Sequence, residues 1–439
     1  MIKRLFILLV LIAVSASTAS AQTSREEIMS DINRSGGVYY GYTAPTAKYT
    51  PAPKGYEPFY ISHYGRHGSR YIVKDVQYDY TVEVLNKAHA DGKLTPLGED
   101  VRNRVLKVYA VAQRRGGELT QKGARQHEEI ATRMVQNFPE LFKQKDLKVE
   151  VLSSVFPRCL MSMAAFCDAL KSQNPTLKIT RDASNAKMEQ IHNLKPEWNP
   201  TLPDEVLSLL LDDKAIWRRQ LLKYEKEHID YSRLLNNIFS DKEYIRTQVD
   251  NRKFWKYLAE LTRNIQCLDI EDVCLYDIFT PEELYECWRA DNFAHYAKFA
   301  RYIYYPMMST VTGKMLTAII AQIDKDLAAG TPSVSLRFGH DTCIFSISPM
   351  MGLPGCCIAS TDYDTINEEW RDYRITPMAA NLQMIFYRKR GSDDVLVRVM
   401  HNEQEVCFDI ESKSAPYYKW EELRQYWTDN IKNASQLEK

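Results

Sequence analysis

The chain has 439 residues, 45% of them hydrophobic and 26% charged, with 57 basic side chains against 57 acidic ones. That is the composition of an ordinary globular protein long enough for two domains. The balanced charge argues against nucleic acid or an anionic membrane surface as a partner held by bulk electrostatics.

At the N-terminus, Lys3 and Arg4 precede an apolar core from Leu5 to Val14, and Ala19-Ser20-Ala21 forms a small-x-small site before Gln22. Residues 1–21 therefore read as a secretory signal peptide, with an apolar core short for a bilayer span. No cysteine follows the cut to carry a lipid, and no later stretch reaches transmembrane length. A soluble exported protein, periplasmic or secreted, with no membrane anchor is expected, and loss of residues 1–21 with Lys3 and Arg4 would leave it a net charge of about −2. Disorder is expected at the ends, chiefly from Gln22 to about Ala44. The nine cysteines are an odd number, so at least one is unpaired. Export permits bridges among the others, and no pairing is legible.

"PFYISHYG" (58–65) is apolar and aromatic, ends in glycine, and reads as a buried strand entering a turn. Helical patterns follow over 75–91 and 97–114, and a third opens after Thr120, which reads as its N-cap. "LKVEVLSS" (147–154) reads as a strand feeding a helix that starts near Pro157, and "LKITRD" (177–182) as another short strand. Residues from about 184 to 308 are helix-like throughout. Strand character returns at "PSVSLRFGHDT" (332–342), "NLQMIFYRK" (381–389), "DVLVRVMHN" (394–402) and "EVCFDI" (405–410). The architecture expected is α/β, a three-layer sandwich on a mostly parallel sheet. Its core comprises residues 22–183 and 309–439, with an α-helical cap inserted at 184–308.

Open parallel sheets bind ligands outside the carboxyl ends of their strands. Three such ends here carry unusual polar residues. They are Arg66-His67-Gly68-x-Arg70, the stretch from Ser153 to Arg158, and His340-Asp341. Together they hold three arginines and two histidines against one carboxylate, more cation than Asp341 balances. A phosphate dianion matches that set, because its oxygens accept paired guanidinium contacts. Gly65 and Gly68 would leave room for a ligand beside the backbone. Arg181, at the next strand end, competes with Arg158 for the third position. His63 and His67 stand four apart, but the glycines argue against a helix there, so no metal site is expected. The remaining histidines, His295 among them, receive no role. No G-x-S-x-G, H-E-x-x-H, G-x-x-x-x-G-K or G-x-G-x-x-G stretch occurs, which removes serine-hydrolase, zincin and nucleotide-loop readings.

"RHGSR" (66–70) resembles the signature of the histidine phosphatase superfamily in its acid phosphatase and phytase branch, and "HDT" (340–342) resembles that branch's second signature. "ELTQKG" (118–123), "SSVFPRCLMSM" (153–163) and "MHNEQE" (400–405) are similar to further pieces of the branch, in family order. The resemblance implies a metal-free phosphomonoesterase with no organic cofactor and a small-molecule phosphate monoester as partner. His67 would be the nucleophile and Asp341 the leaving-group acid. Arg66, Arg70, Arg158 and His340 would hold the phosphoryl oxygens. Phytase-type members often carry proline two residues after the last arginine of the first motif, where this chain has Ile72. Some inositol-polyphosphate phosphatases of the branch carry His-Ala-Glu where this chain has His340-Asp341-Thr342. The "SHYGRHGSRY" context is nonetheless similar to bacterial members near that inositol-polyphosphate group. Two other functions fit the same residues: a phosphomutase of the superfamily, and a phosphate-ligand binding protein without catalysis. Export argues against the first, and retention of both His67 and Asp341 against the second.

Overall fold

The computed structural model describes residues 22–192, 194–195, 202, 204–301, 303 and 307–436; the leader read in residues 1–21 lies outside them. Eight strands form one sheet: β1 Tyr56–Arg66, β2 Lys148–Ser153, β3 Lys178–Asp182, β4 Ser333–Gly339, β5 Asn381–Lys389, β6 Val395–His401, β7 Gln404–Glu405 and β8 Tyr417–Lys419. Their order is β3-β2-β4-β1-β5-β6-β7, with β8 on β6. The first four are mutually parallel, as helical crossovers require. From β5 onward the pairings are antiparallel.

Alternation along β1 sends side chains to two helical layers. Tyr60 and Tyr64 join a cluster with helices Pro281–Phe299, Met307–Ala329 and Asp341–Met351. Ile61 faces the other way, with Val149, Leu336, Phe338 and helices Gln121–Asn137 and Pro157–Gln173. The α/β sandwich read from the sequence is thus the observed one. A separate apolar cluster joins Tyr78, Leu85, Val101 and Val105 to Leu235, Phe254, Trp255 and Leu258. The helices Asp75–Ala90 and Pro96–Ala112 therefore pack against the inserted helical stretch rather than on the sheet. No helix among the described residues is long and apolar enough to cross a membrane.

Two expectations are corrected, and the open question of the cysteines is answered. The stretch from Gln22 to Ala44 is not disordered: it forms an α-helix, Ser24–Ser30, and a 3-10 helix, Ile32–Tyr39. A capping box starts the first, and its Glu27 is buried under Arg371, Arg374 and the hydroxyl of Tyr373. "EVCFDI" is not a strand beyond Glu405, because β8 occupies the edge of β6 beside Leu396–Arg398. All nine cysteines are free. The buried thiols are engaged locally instead, Cys159 on the Gly339 carbonyl, Cys267 on that of Tyr39 and Cys343 on that of Ile191.

Behind the site, His63 and His127 are enclosed by Phe166 and Phe338. Burial pushes both imidazoles down from 6.5 to about 3. Between those values the unfolded chain binds protons that the native one refuses, so stability falls as pH drops through this window. These two groups alone give a slope of about 3 kcal/mol per pH unit, to which the other buried imidazoles add. Urea midpoints at pH 6 and pH 5, where most carboxylates are still ionised, should differ accordingly, and a constant midpoint would contradict the burial of the pair.

Candidate active site

The parallel register brings the three strand ends to one level. Arg66 on β1 pairs with Gly339 on β4, and Ser153 on β2 pairs with Phe338. The residues that follow these ends therefore meet. His340 and Asp341 open the helix Asp341–Met351, and Arg158 lies in the first turn of Pro157–Gln173, with Pro157 leading it as expected. Thr120 is the N-cap foreseen for Gln121–Asn137. Its amide and hydroxyl also hold the Ser69 carbonyl, which fixes the turn between His67 and Arg70.

The glycines serve packing rather than ligand access, a correction to the sequence reading. A Cβ on Gly65 would stand 2.7 Å from the His63 ring, and one on Gly68 2.2 Å from the Gly123 carbonyl. Gly123 is equally constrained, since its Cβ would lie 2.2 Å from the Ser69 carbonyl. This close approach explains why "ELTQKG" ends in glycine. Gly123→Ala should cost about 2 kcal/mol or more, read as a lower urea midpoint, and should reduce activity by shifting the Arg70 turn. A wild-type midpoint would refute the contact.

Arg66 is fully buried. Its Nη1 donates to the carbonyls of Val38 and Thr376, both at 2.7 Å, and its Nη2 pairs with Asp341 at 2.7 Å. Val38 belongs to the N-terminal segment, so the order found there fixes this guanidinium. Arg70 donates to the Tyr71 carbonyl and lies 5.2 Å from the Tyr39 ring. Arg158 donates to His340 Nδ1 at 3.3 Å. Arg181 instead pairs with Asp168 at the surface, so the pocket contains Arg158 and excludes its competitor. The Nε atoms of Arg66, Arg70 and Arg158 are all buried without a hydrogen-bond partner among the described residues.

Both histidines have readable tautomers. His67 Nδ1 lies 2.9 Å from the Gly68 carbonyl, which only accepts, so Nδ1 carries the proton and Nε2 a lone pair. His340 receives Arg158 on Nδ1 and therefore donates from Nε2 to Ser154 Oγ at 3.1 Å. Burial, then the charges of Arg158, Arg66 and Arg70, holds His67 well below the usual imidazole range. Burial, then His192 and Arg158, does the same for His340. Burial would raise Asp341, but Arg66 and Arg70 outweigh it and hold the carboxyl well below its usual range. The pocket thus contains two neutral imidazoles, three guanidiniums and one carboxylate.

Arg70 and Asp341 open into a cavity of about 740 Å³. Trp217, Arg252, Lys256, His295 and Lys298, all from the inserted helical stretch, line it with Tyr39 and Asp372. Sequence reading missed all of these, because they lie far from the motifs and carry no local signature. A somewhat larger groove of about 860 Å³, between Tyr40–Tyr49 and His401–Glu405, contains none of the convergent residues.

The fold has relatives among solved structures. A crystal structure of Bifidobacterium longum multiple inositol polyphosphate phosphatase in complex with inositol hexasulfate is similar at a TM-score of 0.75 and 20% identity, covering 90% of this chain and 97% of that one. The phytase from D. castellii is similar at 0.69 and 16%, covering 96% and 91%. A Hafnia alvei phytase is more distant, at 0.51 and 15%, covering 88% and 99%. Identities this low show a shared fold. No curated protein matches the sequence. The model of the histidine phosphatase superfamily, branch 2, however, matches residues 65–402, a span running from the glycine before the first motif past β6. By that match, and with both motifs meeting at the carboxyl ends of β1 and β4, the chain belongs to the histidine phosphatase superfamily, branch 2.

Proposed function

We propose that this protein is an exported phosphomonoesterase that works through a phosphohistidine, with inositol polyphosphates as the preferred substrate class. The observation that carries the reading is the set of three buried guanidiniums with unpaired Nε donors around a neutral imidazole. Buried donors without partners are costly unless an anion completes them, and a phosphoryl group supplies oxygens for all three.

The substrate dianion displaces Asp341 from Arg66 and binds to Arg66, Arg70, Arg158 and His340. His67 Nε2 attacks phosphorus, and the guanidiniums stabilise the charge spread over the equatorial oxygens. Neutralised in this way, the arginines no longer depress the Asp341 carboxyl, which protonates the departing alkoxide. It then takes a proton from the water that hydrolyses the phosphohistidine. The residues between 184 and 308 act as a cap. Lys298 lines the cavity beside Arg252 and Lys256, which pair there with Glu225 and Asp291 and would have to exchange those partners for further phosphates. The bifidobacterial relative, a multiple inositol polyphosphate phosphatase crystallised with inositol hexasulfate, supports that choice. The leader pattern in residues 1–21 supports export.

The test is inorganic phosphate release from phytate, glycerol 2-phosphate and p-nitrophenyl phosphate, with and without a chelator. Release from all three, fastest per site from phytate and unaffected by chelator, is expected. A mutase would leave total organic phosphate unchanged, and abolition by chelator would contradict the metal-free chemistry.

A further inference from the structure

The proposed mechanism leaves one proton unaccounted for. Before substrate arrives Asp341 is a carboxylate bound to Arg66 at 2.7 Å, so it does not bring the proton that the first leaving alkoxide needs. A second proton-bearing pair lines the same cavity. His295 Nδ1 lies 3.1 Å from Asp372 Oδ2. Asp372 is fully buried, and its other oxygen accepts from Trp288 Nε1 at 2.9 Å. Among the described residues Asp372 has no lysine or arginine partner, and His295 is its ion-pair partner when that ring is protonated. The backbone makes room for this carboxylate: a Cβ on Gly37, at φ +54°, would stand 2.6 Å from it. Because Asp372 only accepts, His295 presents Nδ1–H to it, and no hydrogen bond engages Nε2 among the described residues.

The ring also packs against the helix that carries the acid, and both line one cavity. It stacks on Phe345, with centroids 5.8 Å apart and planes at 27°. Phe345 is four residues beyond Asp341 on the helix Asp341–Met351, and residues at that spacing are neighbours on a helix face. The other charges near His295 are Asp291, one turn back on its own helix and held by Lys256 and Arg263, and Lys298.

We propose that the His295–Asp372 pair is the proton reservoir of Asp341. In this scheme His295 starts as the imidazolium, with Nδ1–H on Asp372 and a second proton on Nε2. When substrate displaces Asp341 from Arg66, the Nε2 proton passes to the carboxylate and on to the leaving oxygen as the O–P bond breaks, leaving His295 neutral. The hydrolytic water later returns a proton to Asp341, and Asp341 returns it to His295, so the cycle closes without net proton gain. His295 is in this sense a positioning residue for a proton, acting through Asp341. The inference rests on the phosphatase reading.

The experiment compares glycerol 2-phosphate, whose alkoxide needs a proton, with p-nitrophenyl phosphate, whose phenolate leaves without one. His295→Asn keeps an amide for Asp372 and removes Nε2. It should lower kcat on glycerol 2-phosphate about tenfold or more and leave p-nitrophenyl phosphate within about twofold. Added to Asp341→Asn it should cause no further loss, since both act on one proton. Imidazole should restore turnover to His295→Ala. Equal losses on both substrates, or losses that multiply in the double variant, would overturn the relay. A wild type that releases phosphate while His295→Asn matches it on both substrates sinks the relay alone. A wild type that releases none from either substrate removes the phosphatase reading as well.

Discussion

His67→Ala is expected to lower phosphate release by roughly five orders of magnitude, on every substrate alike. Neither His340 nor its neighbour His192 replaces it. His340 has Nδ1 occupied by Arg158 and its Nε2 proton directed at Ser154. His192 is a ring neighbour of His340 rather than of His67. The variant should fold, because the ring gives up one hydrogen bond, to Gly68, and a neutral imidazole surrounded by cations contributes little else. Its arginines remain, so vanadate or phosphate should still bind within about tenfold of wild type by calorimetry. Loss of anion binding along with activity would mean a collapsed pocket rather than a missing nucleophile. Residual turnover above about 1% of wild type would point to another attacking group.

Asp341→Asn should separate substrates by their leaving groups. An alkoxide needs a proton as it departs and p-nitrophenolate does not, so the variant should lose about 100-fold or more on glycerol 2-phosphate and less than about tenfold on p-nitrophenyl phosphate. A second effect follows from the ion pair. In the wild type Asp341 competes with the incoming dianion for Arg66, and the asparagine does not, so inorganic phosphate should inhibit the variant more strongly. The pH dependence has a defined sign. Bound dianion cancels the arginine charge that holds the carboxyl down, so its pKa rises in the complex. On alkyl substrates kcat should then fall as pH rises through that value, with the limb absent in the variant. Equal losses on both substrates, with chemistry rate-limiting, would remove Asp341 from the acid role.

The strand ends were legible in the sequence because each motif is local. An apolar run, a glycine and then clustered cations marked Arg66, His67 and Arg70 within a few residues, and "RFGHDT" did the same for His340 and Asp341. Convergence followed from general rules about parallel sheets, and the Arg66–Gly339 register realises it. What escaped was tertiary. The polar N-terminal segment reads as disordered by itself, yet Glu27 finds its arginines 344 and more residues away. His295 finds Asp372 across 77 residues, so neither position carries a signal of its own. "EVCFDI" has the alternation of a strand, but a later segment takes the edge it would need. Glycines 65 and 68 looked like ligand space because a sequence does not show that His63 and Gly123 press against them.

The most direct test of the central claim is to trap the covalent intermediate. Wild-type protein mixed with p-nitrophenyl phosphate and quenched in alkali within milliseconds, where a phosphohistidine survives, should give protein-bound phosphate on the peptide containing His67. Phosphorus NMR should place it on Nε2, the nitrogen left with the lone pair by the Nδ1 contact to Gly68. Phosphate released without any bound intermediate, or phosphate found on Nδ1 or on another residue, would contradict the account.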